Sequence, residues 1–240
     1  MYLSKLTLNP RDRDARRALG DCHVLHTTLM RAFPTLPGEP NPRAAVGLLY
    51  RVEPSREAAR VCILAQSVTE PVWSRLPAWC AEDETKPVVA LYDRIAAGQT
   101  LTFRLRANPT KSTGTRPEGG GRLTNPYRKA LTDPEKQIEW LVRAGGRGGF
   151  EPVFVQVARR ATDGTITGAV DVPDIRIVPE PAVLGSGKRT LGSVRFEGRL
   201  AVRDADQFRR TLAEGVGRGK AYGFGLLSIA PARREAAMGE

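Results

Sequence analysis

"TLTFRLRANPTK", Thr100 to Lys111, sets Leu101, Phe103 and Leu105 against Thr102, Arg104 and Arg106 in strict alternation. A period of two is the signature of a strand with one buried face. Downstream, "DPEKQIEWLVRAGG" (133–146) reads as a helix: Asp133 caps it, Pro134 takes the first helical position, and Ile138, Leu141 and Val142 share a face before the glycines end it. Strands are predicted at "EPVFVQVARR" (151–160), "DIRIVP" (174–179) and "TLGSVRFEGRLAV" (190–202). The helix "DADQFRRTLAEGV" (204–216) places Phe208, Leu212 and Val216 at i, i+4 and i+8, and the strand "FGLLSIA" (224–230) closes the series. The Gly/Pro/Arg-rich text "STGTRPEGGGRLTNPYRKA" (112–130) is expected to be mobile, and nothing in 107–126 argues for a function.

The first half of the chain repeats the order. "MYLSKLTL" (1–8) alternates as a strand, with Tyr2, Leu6 and Leu8 on one face and Leu3 as the exception. Helical text follows, broken at Gly20, with Asp21 as N-cap of a second helix that runs to Phe33 and is stopped by Pro34. Strands are predicted in "AVGLLYRVEP" (45–54) and "ARVCILAQSV" (59–68), and the Pro-broken stretch 71–98 is assigned short helix and loop. The pattern is βαββ(α)β, twice. It implies an α+β chain of two tandem ferredoxin-like (RRM-like) βαββαβ domains, 1–98 and 99–240, each an antiparallel sheet with helices on one face. Fold alone does not fix function, so the side chains must carry that argument.

Composition narrows the partner. In 240 residues, 37 Lys+Arg against 26 Asp+Glu give a net charge of +11, and the isoelectric point is near 10.1. That excess suits a polyanion bound with counterion release, nucleic acid before all others. The longest apolar runs are strand-length, so neither a membrane span nor a signal peptide is expected. Cys22, Cys62 and Cys80 are odd in number and show no CxxC spacing, which fits a reducing cytoplasm without disulfides or a thiolate zinc site. Cys62, inside "RVCILAQ", reads as a small buried hydrophobe.

Both histidines of the chain, His23 and His26, lie in "DCHVLHTTLMRAF" (21–33). At about 100° per residue, Val24, Leu25, Thr28, Leu29, Ala32 and Phe33 take one side of the helix and His23, His26, Thr27 and Met30 the other. The imidazoles thus sit one turn apart on the face away from the core, with Arg31 at its edge. Two groups that titrate near neutrality can divide general base and general acid roles at one phosphate. An i, i+3 pair without a third ligand is a weak metal site, so no metal and no cofactor is expected.

"GVGRGKAYGFGLLSIAP" (215–231) holds five glycines, Gly215, Gly217, Gly219, Gly223 and Gly225, interleaved with Arg218 and Lys220. It is no P-loop, because position 214 is Glu and Ala221 follows the lysine, and it follows a helix where a dinucleotide fingerprint would follow a strand. Helix capping and close backbone packing explain some of the glycines. The interleaved cations point further, to a loop whose amides and charges grip a nucleic-acid backbone. In "GSGKRT" (185–190), Lys188 and Arg189 stand at a turn from which they can reach a helical RNA groove.

Taken together, "MYLSKLTLNP", the histidine-bearing helix, "FRLRANPTK", "DPEKQIEWL", "VRFEGRLAV" and "GVGRGKAYGFGLLSIAP" resemble the CRISPR-associated endoribonuclease of the type I-E system, the CasE family, over nearly the whole chain. The resemblance implies cleavage of CRISPR repeat stem-loops without a metal ion, by attack of a ribose 2′-hydroxyl on the adjacent phosphate. A 2′,3′-cyclic phosphate and a 5′-hydroxyl result, and the product hairpin is kept as a subunit of the Cascade complex. By position, the family's catalytic histidine matches His26; a tyrosine of some members is His23 here; and Arg31 matches a cation facing the phosphorane. The glycine loop and Lys220 are expected to fix the RNA backbone, and Lys188 and Arg189 the stem. The rival expectation is a non-catalytic subunit that only holds an RNA hairpin.

Overall fold

The computed structural model describes residues 1–53, 60–115, 124–184 and 190–232. Strand β1 (Tyr2–Leu8) is followed by two short helices, α1 (Arg13–Gly20) and α2 (Cys22–Met30), and by a one-turn helix α3 (Pro42–Val46). Then come β2 (Leu49–Glu53), β3 (Val61–Ser67), β4 (Cys80–Pro87) and α4 (Val89–Asp93). The four strands pair in the order β2-β3-β1-β4, and all three pairings are antiparallel.

The second series contains β5 (Thr100–Ala107), β6 (Thr110–Thr115), β7 (Thr124–Ala130), α5 (Pro134–Arg147) and β8 (Phe150–Pro152). It continues through β9 (Phe154–Arg160), β10 (Ile166–Pro173), β11 (Ile175–Leu184), β12 (Thr190–Val202), α6 (Ala205–Glu214) and β13 (Leu227–Pro231). Its main sheet runs β11-β12-β5-β13, with β8 on the end of β12. In each sheet the opening strand is central, β1 between β3 and β4 and β5 between β12 and β13, the ferredoxin-like arrangement, so the two-unit α+β reading holds.

Several local expectations need correction. Ala45 and Val46 belong to α3, because Asn41 accepts from Ala44 N and Gly47 closes the turn in the left-handed region. The stretch 71–98 contains strand β4, an edge strand whose described side chains are mostly exposed, so apolar alternation never marked it. In the first unit only a single turn, Trp73–Arg75, stands between β3 and β4. The described parts of 112–130 are strand, with 116–123 outside the described residues: β6 and β7 form a ribbon, Lys111 opposite Lys129 and Ser112 opposite Arg128. Strand β10 was not foreseen; its ribbon with β9 is solvated, and neither period of burial shows in its sequence. On α5 the core face is Gln137, Trp140, Leu141 and Ala144, while Val142 is exposed and the helix runs through both glycines to Arg147.

Each sheet has its own core. Leu6, Leu8, Leu25, Leu29, Tyr50 and Ile63 centre the first; Leu105, Leu141, Phe196, Phe208 and Leu212 centre the second, which also takes in Ile95 and Tyr92. Polar clamps join the halves. Arg51, 2% exposed on β2, donates to Arg104 O and Leu226 O, each at 3.1 Å, and to Ser228 Oγ at 2.9 Å. Its Nε meets Glu53 at 2.7 Å, so the buried guanidinium is charge-paired and spends its donors across the seam. Gln66 on β3 donates to Leu212 O at 2.6 Å and accepts from Tyr92 at 2.9 Å. No helix among the described residues is long and apolar enough to cross a membrane.

Candidate active site

Helix α2 exists where Asp21 stops α1 and caps the next helix, its carboxylate accepting from His23 N at 2.8 Å and Val24 N at 3.3 Å. Cys22, Leu25, Thr28 and Leu29 are buried on one side, which leaves His23 and His26 on the other, as the periodicity requires. The helix ends at Met30 and passes through a turn to Phe33, three residues beyond its last regular position.

The two imidazoles are not equivalent. His23 is exposed, whereas His26 is half-buried, and its Nδ1 is buried without a hydrogen-bond partner. By elimination, Nε2 is the nitrogen that can meet a ligand. Burial, then the positive charge of Arg43, then His23 hold the His26 pKa down to about 4. At neutral pH the ring is therefore neutral and can accept a proton.

Both histidines line a cavity of about 420 Å³ with Thr27, Arg43 and Ala221 among its other walls. Three separate segments meet there: α2, the turn leading into α3, and the glycine loop. Tyr50 on β2 ties two of them, its hydroxyl donating to Ala221 O at 3.0 Å and reaching Cys22 O at 3.4 Å. Cys22 Sγ in turn donates to Leu184 O at 2.7 Å, so the end of β11 reaches the start of the histidine helix.

Arg31 does not line this cavity. It follows the last residue of α2 and is exposed, and five residues from His26 it stands about 140° around the helix. Arg43 is the cation beside His26, and its sequence context, "PNPRAAV", held no signal for it. Lys188 and Arg189 lie outside the described residues. Cations the sequence reading passed over stand exposed on the β6–β7 ribbon at Lys111, Arg128 and Lys129.

The glycine loop is shaped mainly by packing. Gly215, Gly217, Gly219, Gly223 and Gly225 all have φ between +77° and +88°. Gly223 and Gly225 are buried and cannot themselves present a surface to a ligand, whereas Gly217 and Arg218 are exposed. At Gly225 a Cβ would lie 2.8 Å from Val216 O, and its N–H donates to Arg106 O at 2.8 Å. Lys220 is half-buried, its pKa lowered by burial and by Arg43.

Comparison with known proteins follows the same lines. A family model described as CRISPR associated protein matches residues 1–231. The CRISPR-associated endoribonuclease Cse3 of Thermus thermophilus is 36% identical, over 96% of this chain and all of that protein. The CRISPR system Cascade subunit CasE of Escherichia coli is 30% identical, again over 96% of this chain and all of that one. In structure the chain is similar to Thermus thermophilus Cse3 bound to an RNA representing a pre-cleavage complex, with TM-score 0.74 and 34% identity over 96% of this chain and 98% of that one. It is also similar to Cas6e from Escherichia coli, with TM-score 0.64 and 28% identity over 97% of this chain and all of that one. With the two-sheet fold and the histidine cavity already in place, these matches make the chain a member of the CRISPR-associated CasE family of endoribonucleases.

Proposed function

We propose that this protein cleaves the stem-loops of CRISPR repeat RNA without a metal ion, keeps the product hairpin, and serves as a Cascade subunit. The observation that carries the reading is His26: a neutral imidazole in a cavity formed jointly by the histidine helix and the glycine loop. Nε2 takes the proton from a ribose 2′-hydroxyl as its oxygen attacks the adjacent phosphorus. The bond from phosphorus to the 5′-oxygen breaks, a proton reaches that oxygen, and a 2′,3′-cyclic phosphate and a 5′-hydroxyl remain. His23, exposed and one turn away, gives the proton to the leaving 5′-oxygen. Gly217, Arg218, Gly219 and Lys220 hold the RNA backbone, while Gly215, Gly223 and Gly225 fix the loop's path; Lys188 and Arg189 meet the stem. The names of the relatives, an endoribonuclease, a Cascade subunit and an RNA-bound pre-cleavage complex, support substrate and partner alike.

Incubating the protein with its cognate repeat RNA in excess EDTA tests this directly. Wild type yields cyclic-phosphate ends, and His26→Ala loses about 100-fold or more in rate. Cleavage abolished by EDTA would overturn the metal-free route. Tight binding by wild type with no cleavage would make the protein a hairpin-holding subunit only.

A further inference from the structure

Among the described residues, most buried or half-buried arginines have a carboxylate. Arg51 pairs with Glu53, Arg106 and Arg195 with Glu180, Arg199 with Asp174 and Arg209 with Asp206. Arg43 and Lys220 differ: both are half-buried, and no carboxylate lies within ion-pair distance of either among the described residues. A partly desolvated cation without a counter-charge is costly, and here two are set side by side, Arg43 depressing Lys220 while only Glu214 acts on it in the opposite sense.

The geometry gives this arrangement an object. Arg43 Nη1 donates to Leu48 O at 3.0 Å, which anchors the guanidinium and leaves most of its five donors unspent. The same residue lines the histidine cavity, and Lys220 is the chain neighbour of Ala221, which also lines it. An anion entering the cavity meets His26 and a planar fork of donors, with the Lys220 ammonium near enough to feel Arg43.

We propose that Arg43, seconded by Lys220, grips the scissile phosphodiester and stabilises the charge of its pentacovalent transition state, a role for which Arg43, unlike Arg31, lines the cavity. The inference rests on the endoribonuclease reading above. A guanidinium presents two parallel N–H donors to two non-bridging phosphate oxygens, so it binds the ground state and gains strength as charge builds on them. Lysine cannot reproduce that fork, only its charge.

The test uses single-turnover cleavage of cognate repeat RNA at saturating protein, beside binding of the same RNA carrying 2′-deoxyribose at the cut nucleotide. Arg43→Gln keeps a donor for Leu48 O and removes the charge. It should lower the saturated rate about 100-fold while affinity for the deoxy RNA falls less than about 10-fold. Arg43→Lys should recover part of the rate, and Arg31→Ala should lose less than Arg43→Gln. The proposal fails if Arg43→Gln cleaves within about threefold of wild type at saturation, or if higher protein concentration restores its rate. It also fails if Arg31→Ala is the more damaging change. Should Arg43→Gln not fold, Lys220→Gln decides by the same comparison, an unchanged saturated rate overturning the paired-cation site. Absence of cleavage by wild type would count against the endoribonuclease reading instead, and is read separately.

Discussion

His26 ties reactivity to stability through one ring. In an unfolded chain its imidazole protonates near pH 6.5, whereas in the folded protein it does so near 4. As pH falls, the unfolded chain takes up the proton first. Stability that is fully present above pH 6.5 is therefore lost as pH drops toward 4, by about 2 kcal/mol after allowing for the ring's partial exposure. Denaturant unfolding at pH 7.5 and 4.5 should show this loss in wild type and a smaller one in His26→Gln. The acid limb of kcat/KM, which reports the free enzyme, should likewise lie nearer pH 4 than 6.5 and move upward in Arg43→Gln, which removes a repelling charge. At this scale the histidines were legible because spacing of three on a capped helix fixes their common face. Arg43 was not, because it lies on another element beyond a run of prolines, and no periodicity links it to position 26.

The glycine loop shows how an element is dictated by what it packs against. Gly38 and Gly225 both have φ near +80°, yet a Cβ on Gly38 would meet open space and one on Gly225 would lie 2.8 Å from a backbone oxygen. Gly38→Ala should thus cost only the left-handed strain, about 1 kcal/mol. Gly225→Ala, with nowhere for the clash to relax, should cost at least about twice that, the difference appearing directly in denaturant midpoints. The abundance of glycine announced a special loop in the sequence; which glycines are obligatory depends on Val216, Leu49 and Tyr50, close in space but not all in sequence. Strands β4 and β10 escaped notice for a related reason. Both are largely solvated, so the hydrophobic alternation that marks a half-buried strand is missing from them.

Across the whole molecule, three side chains of the first sheet hold the end of α6 and the glycine loop behind it: Gln66 at Leu212 O of the helix, Tyr50 at Ala221 O and Arg51 at Leu226 O of the loop. The histidine cavity is therefore a property of the seam between the halves. Arg51→Ala would leave Glu53 with Arg104 as its remaining partner and strip two carbonyls of a buried donor; it should cost about 3 kcal/mol, measured by chemical denaturation, with cleavage falling even where the protein remains folded. Tyr50→Phe removes a single hydroxyl and should cost about 1 kcal/mol of stability.

The sequence by itself determined the two βαββ series, the capped histidine helix, the strongly basic balance and the presence of a glycine loop, because each is a local or compositional property. Only the tertiary structure decided that His26 is half-buried and neutral, that Arg43 stands beside it where Arg31 does not, and that packing dictates the path of the loop. Those outcomes depend on which surfaces meet when the two sheets close on each other. Desolvation and Coulomb energy follow distances in space, and distance along the chain does not encode them.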